Sequence, residues 1–131
     1  MDRPEDDFLI SEEMAEWLGQ KKSEYLSNLI QQMAADDFGF EEFQRFDRLL
    51  TGTIEDPDRA YGFEEDGQEL RTYVKTYHQG EKVHQVLIGV LLPDKAKDAQ
   101  VLVPIISFVS RKDDLVKLFT KGKVITRPTL N

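Results

Sequence analysis

Residues 69–92, ELRTYVKTYHQGEKVHQVLIGVLL, decide the fold, because polar and apolar side chains alternate along them with a period of two. This is the spacing of a β-strand, whose successive side chains point to opposite faces of a sheet. Two strands, Glu69–His78 and Val83–Leu92, flank a short polar turn. Gly80 and Glu81 suit the centre of a two-residue turn with Gly in the first position. The stretch therefore predicts an antiparallel hairpin.

The two-residue turn also predicts the register of this hairpin. It places Tyr77 opposite His84 and His78 opposite Val83, so the two histidines lie on opposite faces of the sheet. A three-residue loop would bring both imidazoles to one face, because a slip of one residue turns every side chain over. With the two-residue turn, a metal ion that bridges the two histidines is therefore not expected.

The predicted sheet extends beyond the hairpin. A polar loop leads to a third strand at Val101–Val109, and Pro104 within it indicates an edge position or a bulge, since proline cannot donate a ladder hydrogen bond. The strand Val83–Leu92 is apolar on both faces and is therefore expected to be central. Ser110 is predicted to cap a helix at about residues 111–120.

The N-terminal part of the chain has the apolar spacing of helices instead. Ser11, followed by Glu12 and Glu13, is typical of a helix start, because its hydroxyl can accept from a free amide and carboxylates favour the positive end of the helix dipole. The helix is predicted to continue to about Ala35, and a shorter one follows up to Leu50. The apolar positions expected to cover one sheet face are Met14, Trp17, Leu18, Tyr25, Leu29 and Met33.

The chain of 131 residues has the length of one domain. We predict a polar arm at residues 1–10, a helical acidic half at 11–50, an acidic loop at 51–67 and a sheet with a C-terminal helix at 68–131. The loop is predicted from its Gly, Pro and Asp content. The fold class is α+β, with N-terminal helices packed on a three- or four-stranded antiparallel meander.

Charge is divided unevenly along the chain, whose overall net charge is −8. Residues 1–69 contain 20 acidic and 6 basic side chains, whereas residues 70–131 contain 5 acidic and 11 basic ones. An acidic half favours fast, salt-sensitive association with a protein that has a basic surface. The first interpretation is therefore a non-enzymatic regulator, adaptor or inhibitor that acts through protein contacts, with Glu12, Glu13 and Glu16 as partner-binding residues.

A basic and aromatic strand face supports an alternative function. Arg71, Tyr73, Lys75 and Tyr77 alternate in sequence and therefore share one face, which His84 would join from the next strand. Rings that stack on bases and cations that hold phosphates are what a single-stranded nucleic acid or another anionic ligand requires. The competing structural explanation is that the tyrosines are core residues and the cations prevent unwanted strand pairing.

A third interpretation is a small enzyme that uses a carboxylate and a histidine, which would require His84 and an acidic residue to meet in a pocket. The chain has no cysteine, Gly-rich phosphate loop or nucleophile elbow. Neither a catalytic residue, nor a metal site, nor a cofactor is predicted from motifs.

The remaining expectations concern partners and location. The second sheet face also carries apolar residues such as Val83, Leu87 and Leu91, and a face left partly uncovered predicts a homodimer contact. The apolar runs are far shorter than the roughly 20 residues that span a bilayer. The acidic N-terminus lacks the features of a secretory signal, so a cytoplasmic protein without membrane contact is expected. The net charge argues against whole-surface binding to nucleic acid.

Overall fold

A computed structural model of the protein describes residues 10–78, 80–94 and 98–125. It shows an α+β fold with an antiparallel sheet, as predicted. The elements, in chain order, are α1 (Glu12–Gln32), α2 (Phe40–Phe43), a 3₁₀-helix (Gln44–Leu49), α3 (Leu50–Glu55), β1 (Arg59–Glu65), β2 (Gln68–His78), β3 (Lys82–Asp94), β4 (Ala99–Ser110), α4 (Asp113–Leu118) and β5 (Lys123–Val124).

The sheet has five strands in the order β4-β3-β2-β1-β5, so the predicted number of three or four is wrong. Strands β1 to β4 form a meander, and β5 returns to the opposite edge, where Val124 pairs with Tyr61. The missed strand β1 lies in residues 51–67, which were predicted to be a loop and which also contain most of α3. Gly62 and the acidic residues after Phe63 interrupt the apolar alternation of β1. Its pairing with β2 and the packing of Phe63 against the core determine its conformation.

The order of the strands agrees with the sequence-based prediction of which strand is interior and which lies at an edge. Strand β3 pairs with β2 on one side and with β4 on the other, so it is central as predicted. Strand β4, which contains Pro104, lies at the edge. It also has a bulge, because Ile88 pairs with Ile106 while Gly89 pairs with Pro104, which leaves Ile105 as an extra residue.

The register of the β2–β3 hairpin differs by one residue from the prediction. Thr76 pairs with His84 and Tyr77 pairs with Val83, so the connection has three residues instead of two. Gly80 lies in the middle of that connection with a φ of 84°. Val83 is fully buried against Phe38 and Phe46 on the face that it shares with Tyr77, and this packing outweighs the local turn preference. The expected pairing of Tyr77 with His84 is therefore wrong, and both histidines lie on the same face.

The two faces of the sheet are covered by different elements. The face that carries Val74 and Val86, called here the first face, packs against α1 and α4 in one buried cluster. Buried contributions from these helices are Leu18, Tyr25, Leu29, Leu115, Val116 and Phe119. The opposite face, called the second face, is covered near the β2–β3 connection, where Phe38 and Phe46 pack against Val83.

Helix α1 begins as its sequence predicts. The Ser11 hydroxyl accepts a hydrogen bond from the Met14 amide at 3.1 Å. Further along the helix, Lys21 is only 7% exposed and forms ion pairs with Glu65 and Glu24. The Glu65 hydrogen bond raises the pKa of Lys21, so the side chain stays charged and ties α1 to the end of β1.

Candidate functional site

An open pocket of about 530 Å³ lies on the first face, at the end of the sheet where β2 runs into β3. Most of the side chains around it can carry a positive charge. The lining residues are Arg59, Thr76, His78, Lys82, His84, Asp113 and Lys117.

The sheet register brings five of these residues together. Thr76 and His78 are two positions apart on β2 and face the same way. Their pairing partners on β3 are His84 and Lys82, respectively. Arg59 begins β1 and pairs with Val74, so it lies on the same face one strand further along. The one-residue slip in the hairpin is thus what forms the pocket floor.

Helix α4 supplies the remaining two residues, Asp113 and Lys117. They are four positions apart and therefore lie on one side of the helix. The ammonium group of Lys117 and the carboxylate of Asp113 are thereby placed over the ends of β2 and β3.

The start of α4 is fixed by hydrogen bonds to the loop that follows α1. The Ser110 hydroxyl donates to the Asp37 carboxylate and accepts from the Lys112 amide at 2.9 Å. Asp37 also accepts from the Arg111 amide at 2.8 Å, and its side chain is only 1% exposed. Because this network holds the turn between β4 and α4, it also determines where Asp113 lies.

His84 is the centre of the pocket's hydrogen bonding. Its Nε2 lies 2.6 Å from Asp113 Oδ1, and its Nδ1 lies 2.8 Å from Thr76 Oγ1. The imidazole is almost completely buried, with 4% of the side chain exposed. An ionised carboxylate only accepts hydrogen bonds, so Nε2 carries the proton toward Asp113. In the neutral imidazole Nδ1 is then the acceptor, and the Thr76 hydroxyl donates to it.

Asp113 stays ionised in this environment. The hydrogen bond from His84 and the nearby Lys82 ammonium, 3.7 Å away, hold the pKa of the Asp113 carboxyl below its usual range. The carboxylate is therefore engaged by two groups of the pocket itself.

Two of the pocket's cations lie beyond salt-bridge distance of any described carboxylate, although Arg59 is close enough to Asp113 to help lower the pKa of its carboxyl. Within the described ranges, neither Arg59 nor Lys117 forms a salt bridge. Several other basic residues of the described chain do form salt bridges with acidic side chains, among them Lys21, Arg71, Lys75, Arg111 and Lys112. The cationic side chains among the lining residues therefore outnumber the carboxylates, although the chain as a whole is acidic.

The basic and aromatic strand face predicted from the sequence lies elsewhere. Arg71, Tyr73, Lys75 and Tyr77 do share one face, but it is the second face, whereas His84 lies on the first. Arg71 pairs with Glu69 at 2.6 Å, and Lys75 contacts the Asp56 carboxylate at 3.2 Å. Neither cation is available without breaking an existing ion pair.

Of the two tyrosines of that face, Tyr77 is hydrogen-bonded and Tyr73 is half-buried. The Tyr77 hydroxyl donates to the Leu49 carbonyl oxygen at 2.8 Å and lies 3.1 Å from the Thr53 hydroxyl, beneath α3. Tyr73 is half-buried in the sheet. Tyr77 and Lys75 therefore help to hold α3 and the chain on either side of it against the second face.

The predicted partner-binding carboxylates are on the protein surface. Glu12, Glu13 and Glu16 are exposed in the first turns of α1. Further along the same helix, Leu26 and Ile30 are 43% and 56% exposed. Because these two apolar residues are four positions apart, they form a short stripe on one side of α1.

The pocket residues that sequence reasoning missed had a weak signal at most. Arg59 fell in a predicted loop, and Lys117 belongs to a helix that has several charged residues. The alternative register, with a three-residue loop, would have placed His78 and Lys82 on the same face as His84.

Comparisons of the chain with protein-family models, with curated proteins and with solved structures gave no match. In the part of the chain that the structure describes, no helix is both long and apolar enough to cross a membrane. No group of three or more His, Asp or Glu side chains among residues 10–78, 80–94 and 98–125 is arranged to hold a metal ion.

Proposed function

We propose that the protein binds a small anionic ligand in the pocket between β1, β2, β3 and α4. The observation that carries this proposal is the convergence of Arg59, Lys82 and Lys117, from three different elements, around one concave surface. Among the described lining residues the one carboxylate is that of Asp113, and it already accepts a hydrogen bond from His84.

The electrostatics of the pocket favour an oxyanion. Three cationic side chains face one carboxylate, so the pocket has a positive balance although the chain as a whole is negative. Fields in a concave site with protein walls are screened less than on an open surface. The negative remainder of the surface repels large polyanions and leaves the pocket accessible to small ones.

The residue types restrict the ligand chemistry. An arginine presents a planar set of donors that matches two oxygens of a phosphate, carboxylate or sulfonate group. Lysine adds a mobile point charge, and the exposed His78 adds a further donor. The ligand class is therefore a small molecule that carries one or two such groups.

Calorimetric titration with inorganic pyrophosphate tests this proposal. We expect the wild-type protein to bind, and the double variant Arg59→Gln/Lys117→Gln to bind on the order of tenfold more weakly, since each tenfold corresponds to about 1.4 kcal/mol. The matched control is Lys22→Gln/Lys123→Gln, which removes two positive charges outside the pocket. Equally weak binding by both double variants would show that pyrophosphate binding depends only on the overall charge of the protein.

A second candidate function is the association of α1 with a basic protein partner, as the charge distribution suggested. The exposed carboxylates Glu12, Glu13 and Glu16, followed by the apolar pair Leu26 and Ile30, support it. Replacing the three glutamates with glutamine is expected to slow association and to flatten its salt dependence. An association rate that responds neither to salt nor to these substitutions would rule out the electrostatic explanation.

A homodimer through the second sheet face remains a separate proposal. The segment that contains Phe38 and Phe46 covers this face near the β2–β3 connection, and Leu91 and Leu102 farther along are half-buried. Sedimentation equilibrium of the wild type and of Leu91→Glu tests it. A dimer that Leu91→Glu dissociates supports the contact, and a monomer at all concentrations excludes it.

A further inference from the structure

We propose that Thr76, His84 and Asp113 form a hydrolytic relay and that the pocket cleaves small carboxylic esters that carry an anionic group. This inference rests on the proposed anion binding, since the anionic group is what holds the ester in the pocket. It adds an activity to a site for which binding alone was argued above.

The hydrogen bonds of the relay have the direction that nucleophilic catalysis needs. In the neutral tautomer whose Nε2 proton is directed to Asp113, Nδ1 is the acceptor, and it lies 2.8 Å from the Thr76 hydroxyl. A hydroxyl beside a base that is itself oriented by a carboxylate is the arrangement that activates an alcohol as a nucleophile. Burial of the imidazole keeps this geometry fixed before any substrate arrives.

The proposed reaction has two balanced steps. In the first, Thr76 Oγ1 forms a bond to the ester carbonyl carbon while its proton moves to His84 Nδ1. The ester C–O bond then breaks, and the same proton passes to the leaving alcohol. In the second step a water molecule attacks the acyl-threonine, gives its proton to Nδ1 and releases the carboxylic acid, after which the proton returns to Thr76.

The cations of the pocket have two uses in this scheme. One binds the anionic group of the substrate, and another offsets the negative charge that develops on the carbonyl oxygen. Arg59 and Lys117 suit these tasks, because neither forms a salt bridge within the described part of the chain. A neutral ester would lack the first interaction and would be cleaved less efficiently.

A purely structural role predicts a different set of results. A buried histidine requires hydrogen-bond partners for both nitrogens whatever its function. In that case the loss of the Thr76 hydroxyl would lower the stability of the fold, and ester hydrolysis would be the same with and without it. The two explanations therefore differ in the rate of turnover and in the site of acylation.

The test uses the full chain and 4-acetoxybenzenesulfonate, an acetate ester whose leaving group carries a sulfonate. We expect release of 4-hydroxybenzenesulfonate above the buffer rate, a loss of about 100-fold or more in Thr76→Val, and retention of activity in Thr76→Ser. Lys22→Gln, outside the pocket, should match the wild type. Circular dichroism melting of each variant separates loss of folding from loss of chemistry.

Two further readouts separate this inference from the proposed function. Acid quenching during turnover, followed by digestion and mass spectrometry of the peptides that contain Thr76, Lys82 and Lys117, should show acetyl on Thr76. Acetyl found only on Lys82 or Lys117 overturns the relay. Calorimetric binding of 4-hydroxybenzenesulfonate without Thr76-dependent turnover also overturns the relay but preserves anion binding. If this product does not bind and the ester is not cleaved, both proposals fail.

Discussion

His84 Nε2 and Asp113 Oδ1 lie 2.6 Å apart, so the central strand of the sheet is joined to the first residue of helix α4 at the floor of the pocket. This contact brings a carboxylate into a site that otherwise has positive charge. The proposed anion binding and the proposed hydrolysis would therefore place opposite demands on Asp113, because its negative charge repels an anion but orients His84.

The variant Asp113→Asn is expected to separate these two effects. Asparagine keeps an oxygen that can accept from His84 but removes one negative charge, so pyrophosphate should bind more tightly. Hydrolysis of 4-acetoxybenzenesulfonate should become slower, because an imidazolium that forms during proton transfer is no longer stabilised by a carboxylate. Calorimetry and initial rates on the same preparation measure both quantities. Weaker anion binding in this variant would contradict the electrostatic account of the pocket.

Because Tyr25 is buried, the stability of the protein is expected to decrease as the pH rises through the alkaline range. Burial raises the pKa of the Tyr25 hydroxyl to about 12. Because the unfolded value is about 10, the unfolded chain releases this proton first as the pH rises, and the free energy of unfolding decreases between about pH 10 and pH 12. In Tyr25→Phe this part of the decrease should be missing. Urea unfolding of both proteins at several pH values from 9 to about 11.5 would show the difference.

The same substitution has an expected result at neutral pH. The Tyr25 hydroxyl is buried and has no hydrogen-bond partner among the described residues. Its removal should leave the free energy of unfolding unchanged or raise it by up to about 1 kcal/mol. A loss of more than about 1 kcal/mol would mean that the hydroxyl makes a stabilising contact.

Two glycines with open space around them should respond to alanine in opposite ways. A Cβ atom would meet no neighbour within 4 Å at either Gly19 or Gly80. Gly80 has a φ of 84°, so Gly80→Ala should destabilise the protein by about 1 kcal/mol through backbone strain. Gly19 lies inside helix α1, so Gly19→Ala should stabilise it by about 0.5–1 kcal/mol. Thermal unfolding of the two variants measures both changes in stability. Changes of the same sign would contradict the assigned backbone conformations.

The main elements of the fold could be predicted because their sequence patterns are long. The 21 residues of α1 have the apolar period and the N-terminal cap of a helix, and β3 is apolar on both faces as central strands are. Strand β1 could not be found in the same way. Its seven residues include Gly62 and two glutamates, and its conformation depends on pairing with β2 and β5.

The candidate site was harder to predict because its residues share a face only in one register of the β2–β3 hairpin. The local chemistry of Gly80 favoured a two-residue turn, whereas the burial of Val83 beside Phe38 and Phe46 selects a three-residue connection. That slip brings His84 to the face of His78 and beneath α4. Long-range packing, which a local pattern cannot report, therefore determined which residues share the pocket.

The most direct measurement of the central claim is the change in backbone amide chemical shifts as inorganic pyrophosphate is added to the ¹⁵N-labelled chain. We expect the largest saturable shifts at residues around the pocket, namely Arg59, Thr76, His84, Asp113 and Lys117. Shifts concentrated instead around Arg45 and Arg48, or around Arg71, would place the anion elsewhere and contradict the account.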